Sequence, residues 1–158
     1  MTLLQGSSRV IVVWIIWGKG NASPFSPFPN FALQIEKEGV VSLFIGNSNS
    51  YEELQNYICV RYTEDGDAIP SEFEKDFNID YYNEDFREVE FYDESSDDLR
   101  VNLEGFSYDE EIIPKFIEIC GERLNQEVNS VILLYDFQYH GHVNGTNQFR
   151  FLGTVQYK

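Results

Sequence analysis

The chain has 158 residues and a formal net charge of −16. That is the size of one domain, with a field that repels the phosphates of nucleic acids and anionic lipids and argues against either as a direct ligand. Hydrophobic residues make up 42% and aromatics 16%, which excludes a chain disordered throughout and points to a core built largely from Phe and Tyr.

Residues 1–34 contain no acidic residue, and Val10 to Trp17 is an unbroken apolar run. The run is far short of the roughly 20 residues that span a bilayer. It fits a secretory leader, with Arg9 ahead of it and Asn21-Ala22-Ser23 as a cleavage site. The preferred expectation is a non-native or poorly ordered extension, because Ile35-Glu36-Lys37-Glu38-Gly39 reads as the natural start of the domain. The organisation expected is an atypical extension over 1–34 and a domain over 35–158.

From Glu36 to Asp136 the chain holds all 27 of its acidic residues. They are densest from Glu64 to Asp98, where only Lys75 and Arg87 oppose them. Such a stretch keeps the protein in solution and draws in basic surfaces.

Val40 to Ile45 is apolar and rich in β-branched residues, and Gly46-Asn47 closes it, so it reads as a central strand. Ser50 with Glu53 forms a capping box that opens a helix, with Tyr51, Leu54, Tyr57 and Ile58 on one face. Thr63 to Ala68 is a turn in which Gly66 supplies positive φ. Pro70-Ser71 opens a second short helix whose Phe73 and Phe77 meet at i, i+4. Asn78 to Asp85 is polar around Tyr81 and Tyr82. Arg87 to Tyr92 alternates as a half-exposed strand. A short helix is expected within Ser96–Gly105, and a longer one over Asp109–Ile119. The latter has acids at its positive end, Pro114 in its first turn and Ile113, Phe116, Ile117 and Cys120 as its inner stripe. Ser130 to Phe137 and Gln148 to Tyr157 read as strands joined by the turn-rich segment His140–Thr146, which predicts an antiparallel hairpin. The sum is an α+β fold: a single, mostly antiparallel sheet with helices packed on one face.

Few residue patterns suggest chemistry. Gly46 to Ser50 lies between a strand and a helix but lacks the glycine spacing and Lys of a phosphate-binding loop. The His140-Gly141-His142 pair has no third metal ligand nearby in sequence. Glu64, Asp65 and Asp67 form only a fragment of a calcium loop. Cys59 and Cys120 each follow an apolar stretch and read as buried free thiols of a reducing, cytoplasmic protein. No catalytic residue, metal or cofactor is expected. A carboxylate-based hydrolase would need two acids at catalytic separation, which only geometry can supply.

Several blocks share a family pattern: EKEGVVSLFIGN (36–47), EDGDAIPSEFEKDFNIDYYNEDFREVEFY (64–92), EGFSYDEEIIPKF (104–116) and NSVILLYDFQY (129–139). In order and spacing the chain resembles the immunity protein 22 family of bacterial polymorphic-toxin systems. It departs from that family in carrying Phe44 where the pattern has Trp, and in what precedes Glu36. The resemblance implies a non-enzymatic protein that binds and neutralises a cognate toxin domain in the cytoplasm. Toxins that attack nucleic acid need basic clefts, which carboxylates can cover in place of phosphates. Acids in the dense stretch, with aromatic anchors among them, are the expected contacts: Asp65, Asp67, Tyr81, Tyr82, Glu84, Asp85, Asp93 and Glu94. The competing reading is a regulatory module of the same fold that binds a protein other than a toxin.

Overall fold

A computed structural model describes residues 35–158. The expected extension over 1–34, with its leader and foreign-segment readings, lies outside the described residues. In chain order the elements are β1 (Ile35–Gly46), α1 (Tyr51–Ile58), the two short strands β2 (Arg61–Tyr62) and β3 (Ala68–Ile69), α2 (Glu72–Phe77), a 3-10 turn (Glu84–Phe86), β4 (Arg87–Asp98), α3 (Leu99–Leu103), α4 (Asp109–Cys120), β5 (Arg123–Gln138) and β6 (Phe149–Gln156). The four long strands form one antiparallel sheet in the order β4-β5-β1-β6, and β2 pairs with β3.

The α+β class and the antiparallel sheet are as expected, but the helices flank both faces rather than one. The reason lies in β1 and β5, whose apolar residues are consecutive rather than alternating. A strand with that pattern is buried on both sides of the sheet. Val41, Leu43 and Ile45 of β1 and Val131, Leu133 and Tyr135 of β5 pack against Leu99, Leu103, Ile112, Ile113 and Phe116 of α3 and α4. The residues between them, Phe44, Ile132 and Leu134, pack on the opposite face against Leu54, Tyr57 and Ile58 of α1 and Phe73 and Phe77 of α2. Phe44 is fully buried, with ring centroids of Phe73, Phe77, Phe151 and Tyr139 at 5.0, 4.9, 5.2 and 5.3 Å.

The short helices begin where local chemistry predicts. Ser50 Oγ accepts from Glu53 N at 3.0 Å, and Ser71 and Glu74 form a reciprocal capping box. The α4 helix differs: Pro114 sits beyond the first turn, inside the helix, so the carbonyl four residues earlier, of exposed Glu110, loses its amide partner. Among its inner residues Ile112, Ile113 and Phe116 are buried, while Ile117 and Cys120 lie at the margin of the same cluster. Both cysteines are free, but Cys59 is exposed and Cys120 half-buried, against the expectation of two buried thiols.

The predicted hairpin of the last two strands does not form. β1 lies between β5 and β6 and is antiparallel to each, so β5 and β6 run parallel. Residues 139–148 must therefore travel the length of the sheet. The hydroxyl of Tyr139 anchors that crossing, 2.8 Å from the Phe77 carbonyl and 3.0 Å from that of Val143. Ser42, on the Phe44 face, donates to the Phe137 carbonyl at 2.7 Å and accepts from Tyr139 N at 3.1 Å, tying the same segment to β1.

Truncating Phe44 to alanine removes the ring around which four others pack and should cost about 3–5 kcal/mol. Urea unfolding followed by far-ultraviolet circular dichroism measures it. Tyr51→Ala, on the exposed side of α1, should cost under about 0.5 kcal/mol in the same assay.

Candidate functional site

Asp65 and Asp67 lie in the turn between β2 and β3. Thr63 N donates to the Asp67 carbonyl and Gly66 N to that of Thr63, both at 2.9 Å, with Gly66 at φ 88°. Both acids are exposed. The turn is tied to the next loop by Tyr62, whose hydroxyl donates to Glu84 at 3.1 Å. Glu84 also faces Arg87 at 3.4 Å, and the same guanidinium nitrogen donates to the Tyr82 hydroxyl at 2.5 Å and the Ile58 carbonyl at 3.1 Å. Asn83 Oδ1 accepts from Asp85 N at 3.0 Å and starts the 3-10 turn that presents Asp85 to solvent.

The two neighbouring tyrosines part company. Tyr81 is 58% exposed, whereas Tyr82 is 3% exposed and packs edge-on against Phe73 and Phe137. Burial pushes the Tyr82 phenol up to about 12, with the adjoining Arg87 pulling the other way. Tyr82 thus serves the core and holds Arg87 in place. Asp93 and Glu94 are exposed on β4, beyond the last regular pair Phe91↔Ser130 and within a bulge. They stand roughly 20 Å along the strand from Arg87, at about 3.3 Å per residue. The loop and the hairpin are therefore brought together, and Asp93 and Glu94 are not.

Sequence reasoning missed a concave region on the other side of the 3-10 turn. Two cavities of about 320 and 450 Å³ share Glu38, Phe86, Tyr135 and Asp136 as walls. The smaller adds Glu36, and the larger adds Asp85, Glu88, Tyr108, Tyr157 and Lys158. Five carboxylates face a single cation across this groove. Phe86 and Tyr108 are each about half exposed at its rim.

Backbone irregularities shape it. The pairing of β1 with β5 is interrupted between Glu36 and Val41, opposite Asp136. Gly39 has φ 85°, Asp136 φ 55° and Tyr108 φ 61°. For an aromatic residue that conformation is an outlier held by its surroundings. Here the Tyr108 ring lies 4.7 Å from Tyr157, which packs edge-on against Tyr135 at 5.1 Å. Asp136 Oδ1 accepts from Gly39 N at 2.7 Å and from the Tyr157 hydroxyl at 2.6 Å. The Tyr135 hydroxyl donates to the Ser107 carbonyl at 2.7 Å, and Glu88 accepts from both the amide and the hydroxyl of Ser107. The walls are thus pinned by hydrogen bonds that commit Asp136 and Glu88 to structure. The available signal was Asp136, a turn-forming residue inside the strand pattern Ser130–Phe137, which marks a bulge; Gly39 stands just ahead of the apolar run and became part of a strand only in the structure.

Among the described residues no group of three or more His, Cys, Asp and Glu is placed to hold a metal ion. No helix among them is long and apolar enough to cross a membrane. The family model described as Immunity protein 22 matches residues 41–158, and the chain belongs to that family. No curated protein and no solved structure matches it.

The packed tyrosines make stability pH-dependent. Tyr57, Tyr135 and Tyr157 are all raised well above the ordinary phenol range, first by burial and then by the carboxylates of Asp76, Glu88 and Asp136. Below about pH 10 these phenols are neutral in both states and the stabilisation is intact. Above it the unfolded chain ionises while the folded one does not, so stability falls by up to about 1.4 kcal/mol per pH unit for each group. Urea unfolding should show flat stability from neutral pH to about 10, then a steep decline, with phenolate absorbance of these tyrosines appearing together with unfolding. Tyr157→Phe should make the decline shallower.

Proposed function

We propose that this member of the Immunity protein 22 family binds a cognate toxin domain in the cytoplasm and neutralises it by covering a basic surface, and that the toxin is a nuclease. Family membership over residues 41–158 carries this reading. The protein acts as a stoichiometric blocker and needs no catalytic group or cofactor; neither nucleic acid nor a membrane is its ligand. A nuclease must present cationic residues to the phosphates of its substrate. Exposed carboxylates at Asp65, Asp67 and Asp85 can meet those cations, beside the half-buried Glu84, with Asp93 and Glu94 adding to the field from β4. Long-range attraction of this kind raises the rate of encounter more than the strength of the final complex. Exposed rings at Tyr81 in the loop and at Tyr62, which is joined to the loop through Glu84, offer area for a tighter contact.

Co-expression with the toxin encoded beside its gene tests the reading. Cells should survive toxin expression only when this protein is present, and the two should co-purify; death with no complex would refute it. Association measured by stopped flow should slow by about tenfold or more as salt is raised from low to high ionic strength. Asp65→Lys combined with Asp85→Lys should slow it at low salt and leave the high-salt rate nearly unchanged.

A further inference from the structure

We propose that the groove between the start of β1, the 3-10 turn and Tyr108 is a slot for one arginine side chain of the partner, entering where Lys158 of this chain now lies. The identity of the partner as a toxin rests on the function proposed above; the chemistry of the slot does not. The second cavity already holds a cation on an aromatic face. Lys158 Nζ lies 5.4 Å from the Tyr157 ring centroid and 3.9 Å from Glu38 Oε1. That is the geometry by which aromatic rings and carboxylates together bind positive groups. Both partners of this internal pair are half exposed or more, so it is screened and readily exchanged.

Three features favour a guanidinium as the exchanging group. The half-exposed rings of Phe86 and Tyr108 give it flat surfaces to stack on, which an ammonium uses less well. Glu38 and Asp85 both line this cavity and supply more than one acceptor, which suits a forked donor. The volume, about 450 Å³, is at the lower end of ligand sites and suits one long side chain. The site is also preformed. Asp136 and Tyr108 are fixed in left-handed backbone, and Tyr135 and Tyr157 are held by hydrogen bonds to Ser107 and Asp136. Little ordering then opposes binding.

The test titrates the full chain with N-acetyl-arginine amide, with its neutral isostere N-acetyl-citrulline amide and with N-acetyl-lysine amide, reading aromatic resonances by NMR. The arginine probe should shift Phe86, Tyr108 and Tyr157 saturably, the lysine probe should bind more weakly and the citrulline probe should not bind. Lys158→Met removes the competing internal cation and should tighten the arginine probe by about threefold or more. Phe86→Ala, a rim residue whose loss spares both cores, should weaken it by about two- to fivefold. Equal shifts with citrulline, or an unchanged affinity in Lys158→Met, would overturn the slot, and equal affinity for lysine would overturn its assignment to arginine. Survival of toxin-expressing cells with a groove that ignores arginine defeats this inference alone. Arginine binding without protection leaves the slot standing and defeats the toxin-neutralising function.

Discussion

β1 sits between β5 and β6 with its residues from Val40 to Gly46 buried, and most of the remaining chain is arranged to cover it. Its backbone is bonded on both edges and its side chains are enclosed on both faces. One helical layer cannot satisfy that. Two pairs of short helices are needed, and the chain supplies them in order, α1 and α2 before β4 and α3 and α4 after it. The crossing segment after β5 follows from the same constraint, because a last strand that pairs with β1 must start at the far end of the sheet. Gly46 is where this becomes tight: a Cβ there would lie 2.1 Å from the Gln148 carbonyl oxygen.

What could be read from sequence was local. Ser50 and Ser71 announce their helices because a cap is decided within three residues, and Gly66 marks its turn for the same reason. The strands β1 and β5 stand out by their β-branched, apolar runs. The unbroken character of those runs already implied burial on both faces, yet it does not say which helices do the covering. The order of the strands is less accessible still. Turn residues from His140 to Thr146 signal a change of direction, and nothing near them records that a strand made a hundred residues earlier occupies the intervening place. Pro114 is a local signal overridden: an exposed carbonyl can turn to water, while Ile112, Ile113 and Phe116 hold the helix against the sheet.

The candidate sites divide along the same line. The acidic loop around Asp85 was legible because charge density is a property of a contiguous stretch. Tyr81 and Tyr82 were indistinguishable by composition, and only packing separates a ring in solvent from one among Phe73 and Phe137. The groove was invisible because its carboxylates come from β1, the 3-10 turn, β4 and β5. Glu36 and Asp136 meet across a bulge, and the distance between them along the chain hides their proximity.

Charge and shape play different parts in the proposed complex. Most of the acids are exposed, and at physiological ionic strength their influence fades over about 8 Å. Each therefore adds little to a finished interface while their sum still steers approach. Lasting contact calls for surface removed from water and groups that need no reordering. The groove offers both, with aromatic walls fixed by the Asp136 and Ser107 hydrogen bonds and carboxylates at its edge. The self-repulsion of so acidic a chain works against compactness, and the two buried clusters on either side of β1 oppose it. The fold can thus carry a surface tuned for encounter because its cohesion lies in the aliphatic and aromatic layers beneath.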